Sequence, residues 1–173
     1  THYAALLFKV DILPYPLTWD NDPHVEQKEA VALQAFDAYI ARHGAELAGV
    51  LIEPLVQGAA GMRMCRPQFL QQLAQRIKAA NSLLLFDEVM TGFGRTGKLF
   101  ASQTAQVTPD IICLSKGISA GFLPLSVTVC SETVYQAFLG ESFDRAFVHG
   151  HSFTANPLGC AAALASLQVF ETE

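Results

Sequence analysis

No basic block occurs anywhere in this chain, which carries 11 Lys and Arg against 16 Asp and Glu, for a net charge of −5. That balance offers no footprint for nucleic acid or for an anionic membrane surface. No apolar run approaches the roughly 20 residues that a membrane-spanning helix needs, and no secretory signal is visible. Cysteine is sparse: Cys65, Cys113, Cys130 and Cys160 stand far apart with no C-x-x-C pattern. Such spacing predicts reduced, buried thiols in a cytoplasmic protein. Internal repeats, low-complexity tracts and linkers are missing too.

What is present is a globular balance, 51% hydrophobic and 16% charged over 173 residues, enough for one domain with a real core. The first residue is Thr1 and the last helical pattern stops at Glu173. The expectation is therefore part of a longer chain, with an N-terminal segment and a C-terminal small domain outside residues 1–173.

Pro14, Pro16 and Pro23 block regular helix in residues 1–24. Leu33, Phe36 and Ile40 then recur at helical spacing, with Gly44 as a terminator. Leu47–Ile52 reads as a buried strand ending at Glu53-Pro54, and residues 55–66 as a Gly-containing loop. Pro67 opens a second helix with Phe69, Leu70, Leu73 and Ile77 on one face. Leu83–Phe86, Ile111–Leu114 and Leu125–Val129 are three more short apolar runs. Ser131 is placed to cap a helix from Glu132 to about Leu139, and Asn156-Pro157 to open a final one. Strands without alternation, interleaved with helices, predict an α/β fold whose mostly parallel sheet is covered by helices on both faces.

Ligands of such sheets bind beyond the carboxyl ends of the strands. Glu53, Asp87 and Lys116 all stand at or just past such ends. A lysine delivered by an apolar strand into a Gly-containing loop, beside a carboxylate ending another strand, is what a pyridoxal phosphate site requires. The amine forms the Schiff base, and the carboxylate keeps the pyridine nitrogen protonated. Each residue alone has a bland alternative: most lysines are solvated, and a carboxylate ending a strand often caps a helix. Val89 could pack against the flat face of a pyridine ring.

Gly92–Lys98 satisfies G-x-x-x-x-G-K, the phosphate loop of nucleotide triphosphatases, but Leu99 follows where Ser or Thr should ligate magnesium. A plain turn, with Arg95 pairing a carboxylate, is the better expectation. His149-Gly150-His151-Ser152 lacks the further ligands that a metal site needs. Its hydroxyl and amide donors suit a phosphate instead.

Taken in order, four segments resemble the class III pyridoxal phosphate-dependent aminotransferases. They are Leu51-Ile52-Glu53-Pro54, Phe86 through Gly97, Pro109 through Gly117, and His149 through Phe153. The resemblance implies the type I fold of these transferases, with this chain as the central part of the large, cofactor-binding domain. It implies that Lys116 bonds pyridoxal 5'-phosphate, that Asp87 pairs with the pyridinium and that Val89 lies against the ring. Lys116 and Asp87 are the implied catalytic pair. Ser152 would give a phosphate hydroxyl across a homodimer interface, with His151 on the same loop. Gly150, Glu53 and Lys116 would face the substrate. Small-molecule partners follow, an amino donor and a keto acceptor.

Gly61-Met62-Arg63-Met64-Cys65-Arg66-Pro67 is similar to the branch that aminates 8-amino-7-oxononanoate in biotin biosynthesis. The donor stays open between S-adenosylmethionine and lysine. Another class III activity on an ω-amino acid, a diamine or glutamate semialdehyde is the alternative, and a nucleotide-binding module using Gly92–Lys98 a lower one. Met90 stands where some branches carry glutamine. The 173 residues alone are expected to be inactive.

Overall fold

The computed structural model describes Ala5 and residues 10–172. Residues 1–4 and 6–9 of the irregular opening segment, and the final position, 173, lie outside the described residues.

Three strands run parallel: β1 (Gly49–Ile52), β4 (Leu83–Asp87) and β5 (Ile111–Leu114). Strand β6 (Val127–Cys130) closes the order β1-β4-β5-β6 and pairs antiparallel with β5. The small strands β2 (Val56–Gln57) and β3 (Arg63–Met64) form a hairpin within the segment expected to be loop. Thr18 adds a bridge to Met64 and extends this ribbon by one residue.

Alternation along β4 divides the sheet. Leu84 and Phe86 are buried at 5% and 1% exposure. They join Ile52 in a core completed by Leu33 and Phe36 of α1 (Val25–His43), Leu70 and Ile77 of α2 (Pro67–Ala79) and Ala101 and Ala105 of α3 (Ala101–Ala105). Each large side chain in that core contributes about 1.5–3 kcal/mol by leaving water. The opposite face carries Leu51, Leu83 and, at its tip, Asp87; among the described residues Leu51 remains 63% exposed and Leu83 37%. Cover was expected on both faces, and here it is complete on one.

Helices α1 and α2 are fastened at their ends. Arg66, the residue before Pro67, donates Nε and Nη2 to the two oxygens of buried Glu29 at 2.9 and 2.7 Å. Those bonds hold the guanidinium above its ordinary range. Pro67 then starts α2 where its missing N–H costs nothing.

Several sequence expectations shift. The fourth strand begins two residues late, because the Leu125 carbonyl accepts from Ser115 Oγ at 2.8 Å instead of from a ladder. Helix α4 (Glu132–Ala137) ends early, and Ser131 makes no side-chain cap; its hydroxyl is buried without a partner among the described residues. Asn156 does cap α5 (Pro157–Thr172), its Oδ1 accepting Gly159 N–H at 2.8 Å. All four cysteines are free, but only Cys65 is buried, and Cys130 is exposed. No helix among the described residues is long and apolar enough to cross a membrane.

Candidate active site

Parallel register brings the chemistry to one rim. Ile52 pairs with Phe86, so Glu53 leaves β1 beside Asp87 at the end of β4. Asp87 in turn pairs with Cys113, and the Glu88 N–H donates to the Cys113 carbonyl at 2.9 Å. From Cys113, β5 needs only Leu114 and Ser115 to reach Lys116.

The adjacent carboxylates Asp87 and Glu88 part company. Glu88 is fully buried, at 0% exposure, and turns inward. It accepts the Ala101 and Ser102 amides at 2.6 and 2.8 Å, capping α3, and the Thr91 hydroxyl at 3.3 Å. Asp87 lies on the open face. Among the described residues it accepts a single hydrogen bond, from Val89 N–H at 3.0 Å. The bland reading of a helix-capping carboxylate thus holds for Glu88, whereas Asp87 caps no helix.

Lys116 opens a 3-10 turn, Lys116–Ser119, with φ +43°, a left-handed backbone uncommon for a side-chain-bearing residue. Such strain persists only where the surroundings over-determine it. Here Ser166 of α5 donates to the Gly117 carbonyl at 3.2 Å, and Ser119 to the Leu123 carbonyl at 2.5 Å. Lys116 is exposed.

A cleft of about 430 Å³ opens beside Lys116, lined also by Phe93, Arg95, Gly121, Val169 and Phe170. That volume lies within the range of small-molecule sites, about 300–1,000 Å³. Arg95 was expected to pair with a carboxylate. Among the described residues no ion pair holds it, so it stands as a second cation in the cleft. Sequence reasoning gave Arg95 no such place, and nothing local in the sequence could have linked it to Phe170. Asp87, Val89 and Glu53 lie outside this cleft's lining, so Lys116 alone belongs both to the rim and to the cleft.

The phosphate-loop alternative loses its donors. Gly94 N–H is committed to the Leu99 carbonyl and Gly97 N–H to the Gly94 carbonyl, which closes a turn where a triphosphate cradle needs free amides.

Gly150, His151 and Ser152 are exposed and are not among the residues lining the cleft beside Lys116. Their segment is organised locally: His151 N–H donates to Thr154 Oγ1 at 3.1 Å and Phe153 N–H to His151 Nδ1 at 3.1 Å. Helical rise puts about 15 Å between Asn156, at the start of α5, and Ser166, where α5 meets the lysine turn. Among the described residues no cluster of His, Cys, Asp and Glu could hold a metal ion.

Comparison with known proteins decides the lineage. The family model described as aminotransferase class-III matches residues 2–173. The chain belongs to the class III aminotransferase family. It is 60% identical over 167 residues to the adenosylmethionine-8-amino-7-oxononanoate aminotransferase of Synechococcus elongatus, covering 96% of this chain and 39% of that relative. Among solved structures, an amine transaminase from an uncultivated Pseudomonas species, in its PLP-bound form, superposes with a TM-score of 0.81 at 34% identity, over 92% of this chain and 36% of that one. The adenosylmethionine-8-amino-7-oxononanoate aminotransferase of Methanocaldococcus jannaschii gives 0.75 at 38% identity, over 81% and 33%. The chain spans about two fifths of the length of the curated relatives it matches. Class III aminotransferases are pyridoxal phosphate enzymes, and the α/β fold with its mostly parallel sheet is the one these solved structures share.

Proposed function

We propose that this chain is the central part of the large domain of a pyridoxal phosphate-dependent aminotransferase, acting on 8-amino-7-oxononanoate to give 7,8-diaminononanoate. The observation that carries the chemistry is the shared rim: Asp87 ends β4, and Lys116 follows the end of the neighbouring parallel strand β5 by two residues. The branch rests on the similarity at 60% identity.

The donor set fits the cofactor on its pyridine side. Asp87 has one carboxylate oxygen steadied by Val89 N–H and the other available to hold a ring N–H. Lys116 presents an exposed amine beside a cleft. When bound, pyridoxal phosphate supplies the electron sink that lets a proton leave the carbon bearing the amine. Lys116 would take that proton and return it as general base and acid. Asp87 would hold a proton on the pyridine nitrogen, and Val89 would lie against the ring. Glu53 faces the substrate side, with Arg95 a fixed positive charge in the cleft beside Lys116.

Ser152 and His151 serve the phosphate of a second copy's site, with Gly150 at the substrate. Their distance from this chain's own lysine turn supports that exchange. So do the exposed rings beside them, Phe147 at 67% and Phe153 at 75%, which pack on His149 and His151 and which a homodimer interface would cover. Four free thiols accord with a cytoplasmic setting.

The test uses full-length protein with pyridoxal phosphate, 8-amino-7-oxononanoate, and either S-adenosylmethionine or lysine as donor. Turnover is expected with one donor, and Lys116→Ala is expected to abolish both turnover and the visible absorbance of bound cofactor. Unchanged absorbance and turnover in that variant would refute the assignment. Turnover confined to ω-amino acids, diamines or glutamate semialdehyde would move the protein to another class III branch.

A further inference from the structure

We infer that Met90 is a positioning residue for Glu53, acting through Gly58. The inference rests on the role proposed above for Glu53 at the substrate side. Gly58 N–H donates to Glu53 Oε2 at 2.9 Å. A side-chain carbon placed on Gly58 would lie 3.0 Å from Met90 Cε, 3.2 Å from Met90 Cγ and 3.7 Å from Glu53 Oε2. Gly58 does not have the left-handed backbone that usually calls for glycine. Close approach is what it provides: the Met90 side chain packs so near that a β-carbon there would crowd it.

The thioether therefore rests against the peptide that orients Glu53. Methionine suits that place, since its unbranched chain fills irregular gaps. An apolar cover keeps water from competing for the Gly58–Glu53 bond and strengthens it by lowering the local dielectric. Met90 also follows Val89, whose N–H steadies Asp87. One side chain thus ties the turn carrying Asp87 to the loop carrying Glu53, although the two leave different strands. Asp87 and Lys116 handle the proton; Met90 sets where the Glu53 carboxylate stands while they do so.

Four variants of the full-length holoenzyme test this: Met90→Ala, Met90→Leu, Glu53→Gln, and Glu53→Gln combined with Met90→Ala. Met90→Ala is expected to raise KM for the keto acceptor at least fivefold with kcat within twofold of wild type. Met90→Leu, which keeps the volume, should restore wild-type KM. In the Glu53→Gln background, Met90→Ala should add nothing, because neighbours that act as a unit are non-additive. Hydrogen exchange at the Gly58 amide gives a readout free of turnover. It should quicken at least tenfold in Met90→Ala and stay unchanged in Met90→Leu, with or without cofactor. Additive kinetic effects, a silent Glu53→Gln, or unaltered Gly58 exchange would overturn the inference. If the wild-type protein failed to transaminate while Gly58 exchange still answered to Met90, the functional reading would fall and the contact would stand.

Discussion

Gly117 lies hard against Phe93. A side-chain carbon at position 117 would stand 2.6 Å from Phe93 Cβ and 2.9 Å from its ring carbons Cγ and Cδ2. Phe93 has little room to retreat, having φ +59° and packing edge-on to Phe100, with ring centroids 5.5 Å apart. Its ring also meets Phe170 of α5 at 6.0 Å. The turn that carries Lys116 is thereby seated on the turn that carries Arg95.

Gly117→Ala should therefore act twice. Overpacking of this kind costs about 1–3 kcal/mol, read as a lowered urea midpoint of the full-length protein. It should also displace Lys116 and weaken the visible absorbance of bound pyridoxal phosphate. A variant with wild-type midpoint and absorbance would show that the contact is slack.

The neighbours Asp87 and Glu88 should fail in opposite ways. Glu88→Ala removes the acceptor of one buried amide, one half-buried amide and a buried hydroxyl. Leaving such donors unpaired costs about 1–3 kcal/mol. Asp87→Asn should leave the thermal midpoint within a degree or two, keep the bound cofactor and lose most turnover. Equal loss of stability in both variants would contradict the division of labour between them.

Cys65 should leave a signature at high pH. Burial pushes its thiol from 9.0 up to about 11. Because the folded value is raised, the stabilisation is whole below pH 9 and fades as pH climbs toward 11. Burial raises the Tyr15 hydroxyl in the same direction. The stability gap between wild type and Cys65→Ala, measured by urea unfolding at steps from pH 8 to 11, should narrow across that window. A constant gap would mean that the thiol ionises as freely folded as unfolded.

The strand tips were legible because each is a short apolar run ending in a polar residue, and Asp87 and Lys116 are such endings. Helix α2 was equally plain, its Phe69, Leu70, Leu73 and Ile77 recurring on one face after Pro67. The hairpin of β2 and β3 was not, since two residues a side give no alternation to read. The late start of β6 depends on a distant hydroxyl, Ser115, capturing the Leu125 carbonyl. Arg95 entered the cleft through a contact between its own turn and α5 that no local pattern announces. The separation of Glu88 from Asp87 is simple alternation, and could have been read from the strand.

Strand β6 is the one that runs against its neighbours, so it starts at the lysine end of the sheet and empties at the far end, where Ser131 N–H meets the Asp110 carbonyl at 2.8 Å. Whatever is grafted, lengthened or trimmed just after Cys130 happens on the back of the molecule. Only beyond α4, where Phe138 packs on Phe147, does the chain turn back toward the segment that carries His151 and Ser152.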